Sequence, residues 1–235
     1  MRVAVGIPVC GPPSWGLLRS LLALGPIDLL TAGTPDRPLP IPVACQRIAE
    51  QFLAGEWDVL LHLDSDALLA PGTLVRLASW GRPVVGALYF SRHQPIMPNY
   101  CQQLADGRFY VPIGETRAWL REHAALCNSP AALLTEPPVE SLAPAYLTGF
   151  HCLLVRREAF ADLEPPYYRP YEQNDPVGLK CDRYFCESLQ AAGHTVHVDR
   201  SVVAGHIVGG EAAIGAFDFM AYDSITDWAT HSWRI

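Results

Sequence analysis

The chain has 235 residues, half of them hydrophobic and 17% charged, so it can form one large domain or two small ones with a substantial core. Its formal net charge of −7 argues against a general nucleic-acid-binding protein, and no apolar run approaches the ~20 residues that span a bilayer. The seven cysteines are scattered and form no C-x-x-C pair, which argues against a zinc site or a disulfide framework and favours a reducing, cytoplasmic setting.

The first ninety residues alternate between strand and helix patterns. Strands are predicted at 3–8, 27–31, 59–63 and 83–89, and helices between them at 15–24, 43–54 and 72–79. This alternation predicts an α/β fold with a mostly parallel, Rossmann-like sheet, right-handed crossovers and flanking helices. We therefore interpret this part of the chain as a nucleotide-binding half in the broad sense.

The pattern weakens between residues 91 and 144 and then returns. A short strand is predicted at 108–111, a helix at 116–126 and a proline-rich loop at 127–144. Later elements are a strand at 151–155, helices at 156–163 and 180–192, and a strand at 195–198. The last residues are rich in aromatic side chains and are expected to fold onto the body of the protein.

Two carboxylates follow the buried apolar run Val59–Leu63, in the sequence Asp64-Ser65-Asp66. Open α/β sheets bind their ligands at the carboxyl ends of their strands, where these side chains would lie. Hard oxygen ligands of this kind suit Mg²⁺ or Mn²⁺ bridging a diphosphate. The alternative is a solvated turn whose Ser and Asp side chains cap the next helix.

Several segments in order carry a family resemblance. They are Val3–Pro8, Trp57–Asp66, Pro83–Tyr89, Tyr146–Arg157, Asp182–Cys186 and Asp199–His206. As an ordered set over roughly residues 1–207 they resemble the GT-A glycosyltransferases, in particular bacterial and phage members similar to glycosyltransferase family 2. The resemblance implies one GT-A domain over 1–235. Its parts would be a nucleotide-sugar-binding half (1–90), an acceptor-side half with a smaller mixed sheet (91–207) and an aromatic C-terminal tail (208–235).

The resemblance also implies a donor site. The residues that would contact the nucleotide sugar are Pro8, Asp28, Gln46, Arg47, Asp64, Ser65, Asp66 and Gly149. Among them, Asp28 would bind the uracil or ribose, and Gly149 would allow close approach beside the sugar. His206 would complete the shell of a Mn²⁺ or Mg²⁺ ion held by Asp64 and Asp66. The alternatives are a plain strand-end carboxylate for Asp28 and a structural role for His206.

Asp182 matches the catalytic base of inverting members, although Cys181 stands where the usual pattern has Glu. In that mechanism a carboxylate takes the proton of the acceptor hydroxyl as its oxygen attacks the anomeric carbon from the opposite face. The structural alternative is that Asp182 only caps its helix. The remaining histidines, His151 among them, are left as core or surface residues.

The leading hypothesis is therefore a metal-dependent glycosyltransferase that moves one sugar from a nucleotide-diphosphate sugar, taken as a UDP-sugar, to an acceptor hydroxyl. The alternatives are a nucleotidyltransferase and a non-catalytic nucleotide-sugar-binding module. A haloacid-dehalogenase-type phosphatase is disfavoured because the first strand ends without a carboxylate. The acceptor could be a carbohydrate, a small molecule or a hydroxymethylated DNA base. In the last case the candidate phosphate contacts are Arg76, Arg82, Arg92, Arg108, Arg117 and Arg121, and a phage-encoded protein would act in the host cytoplasm.

Overall fold

The structure is a computed structural model that describes residues 1–9, 11–92, 95–127, 129–169, 181–208 and 212–221. Its strands are β1 (Val3–Pro8), β2 (Asp28–Ala32), β3 (Val59–Leu63), β4 (Ala67–Leu68), β5 (Val84–Leu88), β6 (Tyr100–Gln103), β7 (Phe109–Tyr110), β8 (Leu142–Ala145), β9 (Leu147–Thr148), β10 (Cys152–Arg156), β11 (Val196–Val203), β12 (Gly205–Val208) and β13 (Ala212–Ile214).

The helices are α1 (Trp15–Ala23), α2 (Ile41–Ala54), α3 (Thr73–Ser79), α4 (Ile113–Glu122), α5 (Pro130–Leu133), α6 (Arg157–Ala161), α7 (Cys181–Ala191) and α8 (Ala216–Ala221), with a 3₁₀ turn at Val139–Ser141. None of the described helices combines the length and the apolar character that crossing a bilayer requires.

A seven-stranded sheet in the order β2-β1-β3-β10-β5-β11-β8 forms the centre of the protein. Strands β2, β1 and β3 run parallel, and β11 runs parallel to β5. Strand β10 is antiparallel to both of its neighbours, so β3 and β5 point the same way, and β8 is the second reversed strand. The prediction of an α/β fold with a mostly parallel sheet flanked by helices is confirmed.

The two smaller sheets differ from the single mixed sheet that was expected. One has the order β13-β12-β4 and the other β7-β6-β9, and both are antiparallel. The first matters for the site because it joins β12, late in the chain, to β4, which begins immediately after Asp66.

The segment 127–144, predicted as a proline-rich loop, contains α5, the 3₁₀ turn and most of β8. Strand β8 escaped the prediction because it carries Pro144, which cannot donate a backbone hydrogen bond to a sheet. Here β8 is an edge strand that pairs with β11 on one side only, so Pro144 is tolerated.

The core divides into two apolar clusters, one on each face of the central sheet. Along β1, Ala4 belongs to one cluster, whereas Val3, Val5 and Ile7 belong to the other. The first cluster includes the apolar faces of α2 and α7, and the second includes those of α1 and α3. Because helices cover both faces, polar side chains that act on a ligand must lie at the carboxyl edge of the sheet, where β3 and β5 end.

Candidate functional site

The chain makes a tight turn directly after β3, over residues 64–67. The Ala67 amide donates to the Asp64 carbonyl oxygen at 3.1 Å, and the Asp64 amide donates to the His151 carbonyl oxygen at 3.2 Å. The Ile207 amide donates to the Asp66 carbonyl oxygen at 2.8 Å. The turn is therefore held on one side by the residue before β10 and on the other by β12.

Three side chains converge at this turn. One ligand atom from each of Asp66, His151 and His206 lies within 4.8 Å of the others. The Nε2 atom of His206 is 3.2 Å from Asp66 Oδ2, and the Nδ1 atom of His151 is 3.7 Å from Asp66 Oδ1. We call these three residues the metal-ligand cluster.

Strand pairing explains how residues so distant in sequence meet. In the antiparallel pair of β10 and β3, Cys152 lies opposite Leu63, so His151 falls opposite Asp64. In the antiparallel pair of β12 and β4, His206 lies opposite Ala67, one residue after Asp66. The register of two strands thus brings both imidazoles to the end of β3.

Both imidazoles use their outer nitrogen on a backbone carbonyl. The Nε2 atom of His151 lies 3.0 Å from the Gly205 carbonyl oxygen, and the Nδ1 atom of His206 lies 3.1 Å from that of Phe90. A carbonyl oxygen only accepts, so these nitrogens carry the proton. The other nitrogen of each ring faces a carboxylate, and in the neutral ring it can offer a lone pair to a cation. This arrangement is typical of metal-binding histidines. The donor set fits a divalent transition metal better than Mg²⁺, which prefers oxygen ligands throughout.

The electrostatics of the cluster also favour a cation. Burial by itself lowers the pKa of His151, but the hydrogen bond and the charge of Asp64 raise that pKa above its ordinary value of 6.5. Burial raises the pKa of Asp66, and the hydrogen bond and charge of His206 outweigh it, so the net shift is downward. Arg92 adds a further positive charge, with Nη1 at 2.9 Å from Asp66 Oδ2.

Asp64, predicted as a metal ligand, lies beside the cluster without being one of its three members. Its Oδ2 atom is 3.3 Å from His151 Nδ1. Ser65 is half-buried in the same turn, and Pro8 ends the neighbouring strand β1 at the same edge. The roles assigned to these three residues in donor binding stay predictions.

Asp182 and Gly149 lie side by side next to the cluster. A Cβ atom added at Gly149 would overlap the Tyr89 hydroxyl and would lie 3.5 Å from Asp182 Oδ2. The Tyr89 hydroxyl therefore fills the space that a side chain at Gly149 would need, and the role of Gly149 beside the sugar stays a prediction. Burial and the charges of Asp64 and Asp182 raise the pKa of Tyr89 well above its ordinary value, so its hydroxyl keeps its proton.

Asp28 lies away from the cluster, at the opposite end of its strand, and its role in binding the nucleotide stays a prediction. Strand β2 is parallel to β1, with Asp28 opposite Ala4 and Ala32 opposite Pro8. Asp28 therefore begins its strand, and the end of the sheet that carries the cluster is four residues, roughly 13 Å, farther along. Its Oδ2 atom accepts a hydrogen bond of 2.6 Å from the Trp57 indole, which gives it a structural partner.

Gln46 and Arg47, both on α2, are also placed by the structure. The Oε1 atom of Gln46 accepts from the backbone amides of Tyr167 and Tyr168, at 2.8 and 3.1 Å, so this side chain holds a loop. Arg47 is exposed and forms no ion pair with the residues that the structure describes. Neither side chain contacts the cluster, and their proposed roles toward the nucleotide remain predictions.

Three tyrosines that follow one another closely in the sequence, Tyr167, Tyr168 and Tyr171, are of a kind that can stack on an acceptor sugar. Tyr168 is buried, and its hydroxyl pairs with Nε2 of His62 at 2.6 Å, so it belongs to the core. Tyr167 packs edge-on against Phe160, and Tyr171 lies outside the described residues.

An apolar depression of about 520 Å³ lies between α1 and the start of β2, from Trp15 to Leu29. Its lining has no charged or metal-ligating side chain. We therefore do not assign the chemistry of the protein to this depression.

His151 is the candidate ligand that the sequence alone did not indicate. It directly follows Phe150, inside the segment Tyr146–Arg157 that carries part of the family resemblance. A prediction that β10 inserts antiparallel beside β3 would have placed it opposite Asp64. Tyr89 was likewise assigned only to the end of a strand.

The position of Asp28 leads to a specific expectation. Asp28→Asn keeps the shape of the side chain and leaves the metal-ligand cluster untouched, so the affinities for Mn²⁺ and UDP should stay within about twofold of the parent. Calorimetric titration of both ligands measures this. A loss of UDP affinity of tenfold or more would show that Asp28 contributes to donor binding.

No family model and no curated protein matches this chain. Among solved structures, protein A197 from STIV superposes with a TM-score of 0.62 at 14% identity, over 93% of this chain and 92% of that one. GalNAc-T7, solved with UDP, GalNAc and Mn²⁺, superposes with a TM-score of 0.55 at 14% identity. The second match covers 88% of this chain and 44% of that chain. The chain has the GT-A fold.

Proposed function

We propose that this chain is a metal-dependent glycosyltransferase that transfers one sugar from a nucleotide-diphosphate sugar, a UDP-sugar, to an acceptor hydroxyl. The observation that carries the proposal is the cluster of Asp66, His151 and His206 at the carboxyl edge of a GT-A sheet, with Asp182 beside it. The presence of UDP and Mn²⁺ in the GalNAc-T7 structure supports the choice of ligands.

In this proposal Asp66, His151 and His206 hold Mn²⁺, and Asp64 and Ser65 hold the ribose. When bound, the metal supplies positive charge that offsets the charge of the leaving nucleoside diphosphate. Arg92 forms an ion pair with Asp66 and so lies at the same edge, where it would contribute a second positive charge toward the diphosphate. The two imidazoles favour Mn²⁺ over Mg²⁺ as the resident ion.

Asp182 is proposed as the general base, which makes the enzyme inverting. It lies in the first turn of α7, where the helix dipole stabilises its anionic form. Its carboxylate would take the proton of the acceptor hydroxyl while that oxygen attacks the anomeric carbon from the face opposite the diphosphate. Its place beside Gly149, next to the cluster, supports this role.

The acceptor is proposed to be a carbohydrate or a small molecule in preference to a hydroxymethylated DNA base. Of the arginines considered for phosphate contact, Arg76 is buried and donates to the Ala132 carbonyl oxygen. Arg117 packs over the Phe219 ring at 5.1 Å, and Arg92 pairs with Asp66. These contacts leave fewer positive charges for a DNA backbone, which adds to the effect of the net charge of −7.

The products that the protein forms from different substrates distinguish the proposed glycosyltransferase from the two alternative functions. Incubated with UDP-glucose, UDP-GalNAc or GDP-mannose and Mn²⁺, the enzyme should release a nucleoside diphosphate and free sugar by slow transfer to water. A nucleotidyltransferase would instead be active in a second incubation, with a nucleoside triphosphate and a sugar phosphate. It would join the two into a nucleotide sugar and release pyrophosphate from the triphosphate. Binding of the donor without any product would mean a non-catalytic module.

Metal binding should depend on pH in a defined direction. In the metal-free protein the raised pKa of His151 contributes stability that is complete below 6.5 and is lost as pH rises through the higher folded-state pKa. Mn²⁺ needs the neutral ring, so its affinity should rise with pH through the same window, by up to about tenfold per pH unit for each proton released. Calorimetric Mn²⁺ titrations between pH 6 and 8 measure this. A flat profile would contradict a role for His151 as a ligand.

A further inference from the structure

We propose that Tyr89 is a positioning residue of this site, whose ring holds the two metal-binding histidines and whose hydroxyl ties the orientation of Asp182 to them. This inference rests on the proposed function and extends it, because nothing in the donor or metal roles above requires Tyr89. It follows from the contacts of the ring, the place of the hydroxyl and the way the backbone is held.

The ring of Tyr89 touches both imidazoles of the cluster. Its centroid is 4.6 Å from that of His151 and 6.0 Å from that of His206, and the second pair meets edge to face. The two imidazoles are themselves 4.4 Å apart. Each imidazole is oriented in its own plane by a carbonyl oxygen on one nitrogen and a carboxylate on the other, and the Tyr89 ring packed against both restrains how the rings tilt.

The hydroxyl of Tyr89 lies near Asp182, whose charge acts on it, and is hydrogen-bonded to the Asn99 side chain and the His151 backbone. It occupies the space in which a side chain at Gly149 would begin, and Asp182 Oδ2 borders the same space. Gly149 has no side chain to fill that space, so the phenol occupies it and the Asp182 carboxylate lies at its border. Tyr89 therefore reaches from the metal ligands to the proposed base within one side chain.

The backbone of Tyr89 is fixed where this role requires it. Tyr89 follows directly after β5, and its amide donates to Asn99 Oδ1 at 3.0 Å while its carbonyl oxygen accepts from the Asn99 amide at 3.1 Å. Asn99 Nδ2 in turn donates to Thr148 Oγ1 at 3.2 Å, next to Gly149. The Tyr89 ring is thus anchored to the loop that borders Asp182.

Two substitutions separate the ring from the hydroxyl. Tyr89→Phe keeps the ring, so the Mn²⁺ affinity and the KM for the donor should stay within about twofold of the parent, whereas kcat for Mn²⁺-dependent donor hydrolysis should fall about tenfold. Tyr89→Leu removes the ring, so Mn²⁺ affinity should fall at least tenfold. Tyr110→Phe is the matched control, because it removes another half-buried tyrosine hydroxyl, one that donates to Gln102, and should change neither quantity.

A double-mutant cycle tests whether the hydroxyl acts through Asp182. In an Asp182→Asn background, Tyr89→Phe should lower the residual hydrolysis by less than about twofold, because the group that it positions is already gone. A full tenfold loss in that background would overturn the coupling, and so would a parent-like kcat in Tyr89→Phe alone. Circular dichroism melting of each variant excludes unfolding as the cause.

The metal titrations keep this proposal distinct from the function on which it rests. Equal Mn²⁺ affinities in Tyr89→Leu and Tyr89→Phe would overturn the role of the ring even in an active enzyme. A parent that binds Mn²⁺ but never turns over a donor would contradict the proposed function and the role of the hydroxyl together. In that case, comparing the Mn²⁺ affinities of Tyr89→Leu and Tyr89→Phe would still decide whether the ring of Tyr89 holds the two histidines.

Discussion

Replacing Asp66 with Asn should weaken Mn²⁺ binding by at least about 100-fold and reduce Mn²⁺-dependent donor hydrolysis to background. The carboxylate is the one anionic member of the metal-ligand cluster, and both imidazoles and Arg92 face it. An amide of the same shape has no charge and is a poorer metal ligand. The loss of metal affinity should therefore exceed the 10–100-fold that is typical when a residue that only hydrogen-bonds a ligand is removed. Calorimetry with Mn²⁺ alone measures the affinity.

Asp162→Asn is the matched control for that variant. It also neutralises an aspartate paired with a histidine, since His194 Nε2 lies 2.9 Å from Asp162 Oδ2, but this pair is not part of the metal-ligand cluster. We expect parent-like Mn²⁺ affinity from it. If the two variants bind Mn²⁺ equally well, Asp64-Ser65-Asp66 is a structural turn and the metal site is elsewhere.

The second large effect is expected for Asp182→Asn. Loss of a general base typically costs 10²–10⁴ in rate, so kcat for transfer should fall by that factor while Mn²⁺ affinity and donor KM stay close to the parent. This split distinguishes a base from a metal ligand, because removing a ligand lowers affinity as well as rate. Steady-state kinetics at saturating Mn²⁺, combined with metal calorimetry, provide both quantities.

Helix capping is the competing explanation for Asp182. Glu115 also lies in the first turn of a helix, α4, and Glu115→Gln removes a comparable charge from a helix N-terminus. If Asp182 only stabilises α7, both variants should lower the melting temperature slightly and leave kcat unchanged. A parent-like kcat in Asp182→Asn would remove the base from the mechanism.

The part of the site that could be predicted depends on local sequence. Asp64-Ser65-Asp66 follows a strand whose residues are all buried, and that pattern is visible in the chain itself. His206 was predicted as a ligand from its place in an ordered set of segments, and the pairing of β12 with β4 brings it close to Asp66. Both depend on features that survive small errors in element boundaries.

The residues that were missed depend on strand order and direction. His151 reaches the site because β10 runs antiparallel between β3 and β5, and a βαβα pattern gives no sign of such an insertion. Asp28 begins β2, so in a parallel sheet it lies at the edge opposite to Asp64, and its role toward the nucleotide stays a prediction. Tyr89 could not be found because the direction of its side chain is set by Asn99 and by the space at Gly149.

The central claim is that the cluster of Asp66, His151 and His206 binds a metal–nucleoside diphosphate, and calorimetric titration of UDP with and without Mn²⁺ tests it most directly. A ligand that binds only the folded state also raises the melting temperature by mass action, so a thermal shift gives an independent readout. In the parent and in Asp162→Asn, we predict that UDP binds in the presence of Mn²⁺ and loses at least about tenfold in affinity without it. In Asp66→Asn, we predict that Mn²⁺ no longer increases the affinity for UDP. UDP binding that is the same with and without Mn²⁺, or no binding in either condition, would contradict the claim.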